Sequence, residues 1–562
     1  MAPVDGMDRP PLIRPHPERP RMPARTPLSR RTLLRFAAGS LALAPILAAC
    51  GTSQARDRGT EELAVGFPED SENWDPHQPP YTVSRTIARQ ITDTLVDQDP
   101  DTGDIVPYLA RRWEVSEDGS RFTFHLRDDV TFSDGTAFTS TSVKNNFDRI
   151  IRLGSLSYIG ASHLRGYQRT ETPDAHTAVV VFDGPNAQFL QAATTQTLGM
   201  LADATLGKDP KDVARGDVIG SGPYVFSEYR QGQYVLLTRR EDYAWGSDAR
   251  RNKGPAHFRT VRAQFIPDPT TLAGAVTSGQ VDIGTMLDVS TLAGIKTADL
   301  HLSQVPGKGI STPLIPFIYR PIFQDAHVRR AINAATDRQE IADRIYQGNA
   351  KAATGLLTAA TPGSADLSDL LRHDPDRAVA ELEQAGYTRV DADGYRHHED
   401  TGEPLTIVFM YTGSGTTKEQ MLQLLQNQWK KVGIRFDLQP RTEAQLSDYT
   451  LYDAPYDLST WSQGRADPDV LRVVYSSFYE NQSFFFGHPI KEVDEALLNL
   501  QSTTDPAKRQ QASEDAQRLL LEGGYSFPLV DAYTSTAASM RLAGIPLDAE
   551  NKLVAADVAL SG

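Results

Sequence analysis

Between residues 107 and 151 the spacing of apolar residues changes period. Phe122, Phe124 and Leu126 alternate with Thr123 and His125, the period of a strand with one buried face. Trp113 to Val115 reads as a shorter strand before it, joined through the turn Glu117-Asp118-Gly119-Ser120. Asp and Gly tolerate the positive φ that a short hairpin loop requires. A second turn falls at Asp134-Gly135. Val143, Phe147 and Ile150 then recur at i, i+4 and i+7, which predicts a helix with Thr139 as its N-cap. The unit is strand, turn, strand, turn, helix, and Asp118 and Asp134 read as turn formers.

Elsewhere the chain alternates short apolar runs with helical stripes. Leu63 to Phe67 predicts a strand, followed by a loop at Trp74-Asp75-Pro76-His77 and a helix over Arg85 to Thr94 with Ile87, Ile91 and Leu95 on one stripe. A hairpin turns around Asp174. Gly220-Ser221-Gly222 is read as a turn, since Pro223 cannot open the helix that a phosphate loop needs. Thr271 to Ser278 predicts a short helix leading into Val281-Asp282-Ile283-Gly284. Val328, Ala331, Ile332 and Ala335 mark another helix, Asp337 with Glu340 a capping start, and Asp374-Pro375 a helix that ends at Gly386. Leu405 to Tyr411 predicts a strand, and Leu422, Leu425 and Trp429 the helix after it. A chain of 562 residues exceeds one hydrophobic core, so two or more domains are expected.

The amino-terminal pattern differs. Arginines at 9, 14, 19, 21, 25, 30, 31 and 35 precede an apolar run from Phe36 to Ala49, too short for a stable membrane span, so residues 1–49 read as a signal peptide. Cys50 is the chain's one cysteine, which excludes an intramolecular disulfide and any multi-cysteine metal site. Residues 50–62 read as a flexible tether. The whole chain carries a net charge of −15. Loss of residues 1–49, with eight Arg against Asp5, Asp8 and Glu18, leaves −20. So acidic a protein repels nucleic acid and anionic lipid.

Several segments carry a resemblance. Ser29-Arg30-Arg31-Thr32-Leu33-Leu34 resembles a twin-arginine export signal, with a generic basic leader as the alternative, and Leu47-Ala48-Ala49-Cys50 resembles a lipobox that would attach lipid at Cys50. Pro107-Tyr108-Leu109-Ala110, Trp113 to Gly119, Phe122 to Arg127 and Val130 to Gly135 resemble the signature block of the family 5 extracytoplasmic solute-binding proteins, the dipeptide, oligopeptide and nickel receptors of bacterial ABC importers. The likeness runs from about residue 63 to the end. It implies an α/β, two-lobed periplasmic-binding-protein-like fold, class II type and cluster C, with a third subdomain and a hinge cleft. The expected division is a first lobe of 63–95, 216–304 and 526–562, an inserted subdomain of 96–215 and a second lobe of 305–525. It also implies a monomer with no cofactor, held at the outer face of the cytoplasmic membrane by its lipid and partnered by a small solute, peptide or peptide-like, and by ABC permease subunits.

Candidate chemistry is sparse. No His-Glu-x-x-His, Gly-x-Ser-x-Gly or Walker sequence occurs after residue 49. His397-His398-Glu399-Asp400 reads as a hairpin tip, with a metal site as the alternative; Phe484-Phe485-Phe486 reads as packing, with a ligand wall as the alternative. Trp461 resembles the family's cleft tryptophan, an aromatic that stacks on an extended ligand. Three residues on, the peptide receptors of the family carry an Asp that pairs with the ligand's α-ammonium. This chain has Gly464 there and Arg465 after it. The resemblance therefore nominates Trp461 for stacking, Arg465 for an anion, Asp467 for a cation, Tyr81 from the first lobe, and Gly413, Ser414, Gly415 and Thr416 as a loop of backbone donors. No metal ligand and no catalytic residue is nominated. Gly464 keeps open a siderophore, metal chelate, sugar conjugate or blocked peptide as the solute, and an extracytoplasmic hydrolase stands as the rival of a different class.

Overall fold

The computed structural model describes residues 61–78, 81–295, 298–412, 416–446, 455–461, 463–479 and 483–562, with the backbone alone at 416, 443 and 444. Residues 1–60, which include the expected signal peptide, Cys50 and most of the expected tether, lie outside the described residues, as do Gly413, Ser414 and Gly415.

The strand Glu62–Phe67 lies at the centre of one lobe. It pairs in parallel with Thr260–Phe265, from Glu62 opposite Thr260 to Phe67 opposite Phe265, and in parallel with Ile283–Gly284 on its other side. Strands Tyr234–Arg239 and Tyr224–Arg230 extend the sheet antiparallel beyond Thr260–Phe265. Leu63, Val65 and Phe67 are buried with Trp74, Ile87, Ile91 and Phe258. A second lobe has its own core, in which Ile332, Leu405, Leu425 and Trp429 pack around the parallel pair Thr406–Thr412 and Arg435–Arg441.

One long strand, Phe527–Ser539, joins the two. Its first half pairs with Thr312–Pro316 and Ala350–Ala352, and its second half with Ile283–Gly284 and Leu300–Pro306. Both ends are buried, while Ala532, Tyr533 and Thr534 in the middle are only half-buried. The strand crosses from one core to the other at those three residues.

The block read first from the sequence forms a four-stranded sheet of its own, in the order Ala110–Val115, Arg121–Leu126, Thr177–Phe182, Tyr167–Asp174. Phe122, Phe124 and Leu126 are all buried. Helix Ser140–Leu153 covers them with Val143, Phe147 and Ile150, and Thr139 and Ser142 form a reciprocal capping box at its start. At Gly220 and Gly222 the turn runs against the end of helix Thr82–Ile91. A Cβ at Gly220 would stand 1.9 Å from the Ile91 carbonyl oxygen, so the position excludes any side chain.

Candidate functional site

Helix Thr82–Ile91 follows the first strand and carries two stripes. Val83, Ile87 and Ile91 form the apolar one, buried in the lobe's core. Thr82, Arg85, Thr86 and Arg89 fall at i, i+3, i+4 and i+7 and form a polar one. This second stripe is covered by the carboxyl-terminal segment. Arg89 reaches Asp97 at 2.6 Å and Asp548 at 3.2 Å, and Gln90 donates to the Leu553 carbonyl at 2.8 Å while accepting from the Ala555 amide at 2.9 Å.

These ties enclose a cavity of about 230 Å³ between the lobes. Its walls are the carboxyl end of the first strand at Phe67, the Thr82–Arg85–Thr86 face, Thr285 and Met286, the crossing residues Ala532 to Thr534, Gly307 and Lys308, Gly464, and the segment Leu547 to Leu553. A crevice at the carboxyl ends of the strands is where open α/β sheets hold ligands. Two of the four non-glycine residues with positive φ among the described residues, Met286 at 53° and Asn551 at 64°, line it. Such backbone persists where surrounding structure enforces it.

Four charged residues meet at the cavity. Arg85 is 6% exposed; its Nη1 donates to the Gly464 carbonyl at 3.5 Å and lies 3.9 Å from Glu550 Oε2. Glu550 is ion-paired through the same oxygen with Lys552 Nζ. Burial alone would raise the Glu550 carboxyl, but Lys552 and Arg85 outweigh it and hold the group below the ordinary range. Arg85 Nε and Glu550 Oε1 are buried without a hydrogen-bond partner among the described residues. Lys308 is half-buried and has no acidic partner among the described residues. An outer depression of about 390 Å³ shares Met286 and Thr312 with the cavity and continues past Asp288, Tyr346, Met421 and Thr460.

The residues nominated from the sequence are placed as follows. Gly464 lines the cavity, and a Cβ there would meet the Lys308 carbonyl at 3.4 Å, an ordinary contact. Tyr81 precedes Thr82 and its side chain is about half exposed. Trp461 is half-buried, its ring 6.0 Å from that of Phe484, one residue after Thr460 in the outer depression. Arg465 lies away from the cavity. Its Nε donates to Gln191 at 3.0 Å, Nη1 to Asp469 at 3.1 Å and Nη2 to Gln188, so the buried guanidinium ties the second lobe to the four-stranded unit. Asp467 makes a two-point ion pair with Arg509 at 2.8 and 3.0 Å. In this arrangement both charges are already matched within the protein. Thr416 begins helix Thr416–Lys430.

Phe484 and Phe485 pack among Val470, Leu471 and Leu497, as core residues do. His397 lies on a hairpin and is held by Asp391 at 2.9 Å and the Gly402 carbonyl. Among the described residues no group of three or more His, Cys, Asp or Glu is placed to hold a metal, and no helix is long and apolar enough to cross a membrane. Arg85, Lys308, Glu550 and Lys552 escaped the sequence reading. The signal for Arg85 was the polar stripe opposite Val83, Ile87 and Ile91; the other three sit in segments whose composition resembles any solvated loop.

The profile described as bacterial extracellular solute-binding proteins, family 5 Middle, matches residues 104–485. The chain belongs to this family. It is 25% identical over 482 residues to the probable D,D-dipeptide-binding periplasmic protein DdpA of Escherichia coli (strain K12), covering 82% of this chain and 86% of that one. It is 24% identical over 525 residues to the nickel-binding periplasmic protein of the same organism, covering 89% and 94%. The fold is similar to that of the oligopeptide-binding protein AppA from Bacillus subtilis, solved in complex with a nonapeptide, with a TM-score of 0.77 at 18% identity over 89% of this chain and 99% of that one. This family 5 protein therefore has the two-lobed α/β periplasmic-binding-protein fold. It is a solute-binding protein of an ABC importer, not an enzyme, and it captures a small solute in the cleft between its lobes.

Proposed function

We propose that this family 5 protein is exported, anchored by lipid at Cys50 to the outer face of the cytoplasmic membrane, and that it captures a peptide or peptide-like solute for delivery to a permease. The observation that supports this reading most is the cavity between the lobes, where Arg85 Nε and Glu550 Oε1 are buried without partners. Buried polar atoms without partners cost free energy, and a ligand with its own donors and acceptors removes that cost. Closure of the two lobes about the crossing residues Ala532 to Thr534 would complete the enclosure, and binding would select the closed state without a covalent step.

Within this reading Arg465 and Asp467 act as positioning residues. Arg465 joins the lobe carrying Gly464 to Gln188 and Gln191, and Asp467 with Arg509 holds the same loop. Trp461, next in sequence to Thr460 of the outer depression, and Tyr81, next to Thr82 of the cavity, are assigned to the solute's more distant parts, and Gly413 to Thr416 keep their assignment as a loop of backbone donors. A second reading, a non-peptide solute such as a metal chelate or sugar conjugate, is favoured by Gly464, which lacks the carboxylate that binds an α-ammonium in the peptide receptors.

The two are separated by native mass spectrometry of the mature protein purified from a rich medium, followed by denaturation. Short peptides, one per chain and unaltered, are expected. A single non-peptide species would retain the receptor and replace the solute, and steady conversion of added peptides to fragments would overturn the receptor.

A further inference from the structure

The charges at the cavity are unbalanced in a direction opposite to that of the whole protein. The chain carries −15 overall, yet the cavity is lined by Arg85, Lys308 and Lys552 against the single carboxylate of Glu550. Lys552 is taken by Glu550, and the nearby Asp548 and Asp97 are taken by Arg89. Among the described residues Arg85 and Lys308 are therefore left in excess, with no carboxylate closer to Arg85 than the 3.9 Å contact to Glu550. Gly464 presents only its backbone carbonyl, toward Arg85 Nη1. Charge in a desolvated site is costly unless it is matched, so the missing match is assigned to the solute.

Glu550 adds a second requirement. Its Oε1 is an acceptor without a donor, buried beside Arg85. A compact anion with no N–H would leave that oxygen unmatched and would be repelled by the carboxylate. A solute with both an ammonium or amide N–H and an excess of acid groups satisfies both residues.

We infer that the solute is an acidic amino-acid derivative or acidic short peptide, carrying net negative charge, with an acid group held by Arg85 and Lys308 and an N–H facing Glu550. The inference rests on the cavity being the solute site proposed above. Selection by charge, in a cavity of about 230 Å³, favours a molecule of dipeptide size over an extended chain.

The test is calorimetry on the mature chain after exhaustive dialysis, with glycylglutamate, glycylglycine, glycyl-lysine and N-acetylglutamate as probes. Glycylglutamate should bind at least about tenfold more tightly than glycylglycine, and glycyl-lysine most weakly. Arg85→Gln and Lys308→Gln should each remove most of that preference; Lys308 is half-buried, so its variant carries the test if Arg85→Gln fails to fold by circular dichroism. Equal binding of the three dipeptides would keep the receptor and overturn the charge selection. Binding of N-acetylglutamate with none of the dipeptides would overturn the peptide reading and support the charge selection. No binding of either acidic probe at millimolar concentration, or an unchanged preference in both variants, would overturn the inference.

Discussion

At the scale of single residues, the knot beneath the first lobe sets how the protein responds to acid. Asp75 accepts from Arg149 at 2.6 and 3.1 Å, and His77 lies against the same guanidinium. His77 Nε2 meets the Gly199 carbonyl at 2.9 Å, so that nitrogen carries the proton, and Nδ1 accepts from Arg149 at 2.9 Å. A ring used this way is neutral. Burial, together with Arg149, lowers His77 from 6.5 to about 4. The unfolded chain then binds a proton near pH 6.5 that the folded chain refuses until about pH 4. Stability from His77 is complete above the unfolded value and is lost as pH falls through that window, by up to about 3 kcal/mol. Asp93 opposes it: burial raises its carboxyl to about 6, so its contribution falls as pH rises toward 6. Comparing the thermal midpoints of wild type and His77→Gln at pH 7 and pH 5 isolates the first effect. A smaller acid-induced drop in the variant is expected, and an equal drop would remove His77 from the account.

At the scale of elements, the strand Arg121–Leu126 concentrates the stability of the four-stranded unit. Phe124 is fully buried and meets Phe189 edge-on at 6.1 Å. Phe124→Ala should cost about 3–5 kcal/mol on the unfolding transition of this unit. Denaturant titration followed by circular dichroism checks it, and a loss below about 1 kcal/mol would mean that the site collapses around the smaller side chain. This block was legible in the sequence because its signals are local: alternation at Phe122, Phe124 and Leu126, a glycine turn, then the Val143, Phe147 and Ile150 stripe. The same holds for the Asp337 and Asp374 caps, which accept from the Glu340 and Arg377 amides. The predicted helix Arg85 to Thr94 instead occupies Thr82–Ile91, ending where Thr92 turns extended and the Asp93 amide donates to Ser221 Oγ. The strand Phe527–Ser539 was not read from the sequence. Its polar middle, Tyr533-Thr534-Ser535-Thr536, has no period that marks a strand, because it crosses between two cores and buries neither face evenly.

At the scale of the whole molecule, the site draws on segments that are distant in sequence. Arg85, Lys308, Gly464 and Glu550 come together only when the long strand Phe527–Ser539 and the Arg89 and Gln90 ties bring the carboxyl-terminal segment over the first helix. No spacing rule could have linked them. The loop around Trp461 was legible through its likeness to the family, but its charges, Arg465 and Asp467, are matched inside the protein by Asp469, Gln188 and Arg509. The charge left for a solute lies across the cavity, on Arg85 and Lys308. The measurement that tests this most directly is a crystal structure of the mature protein with the solute it carries from its host. The account predicts solute density inside the cavity, within hydrogen-bond distance of Arg85 and Glu550, with the outer depression holding at most its distal part. Density confined to the outer depression beside Thr460 and Trp461, with the inner cavity filled by water, would contradict it.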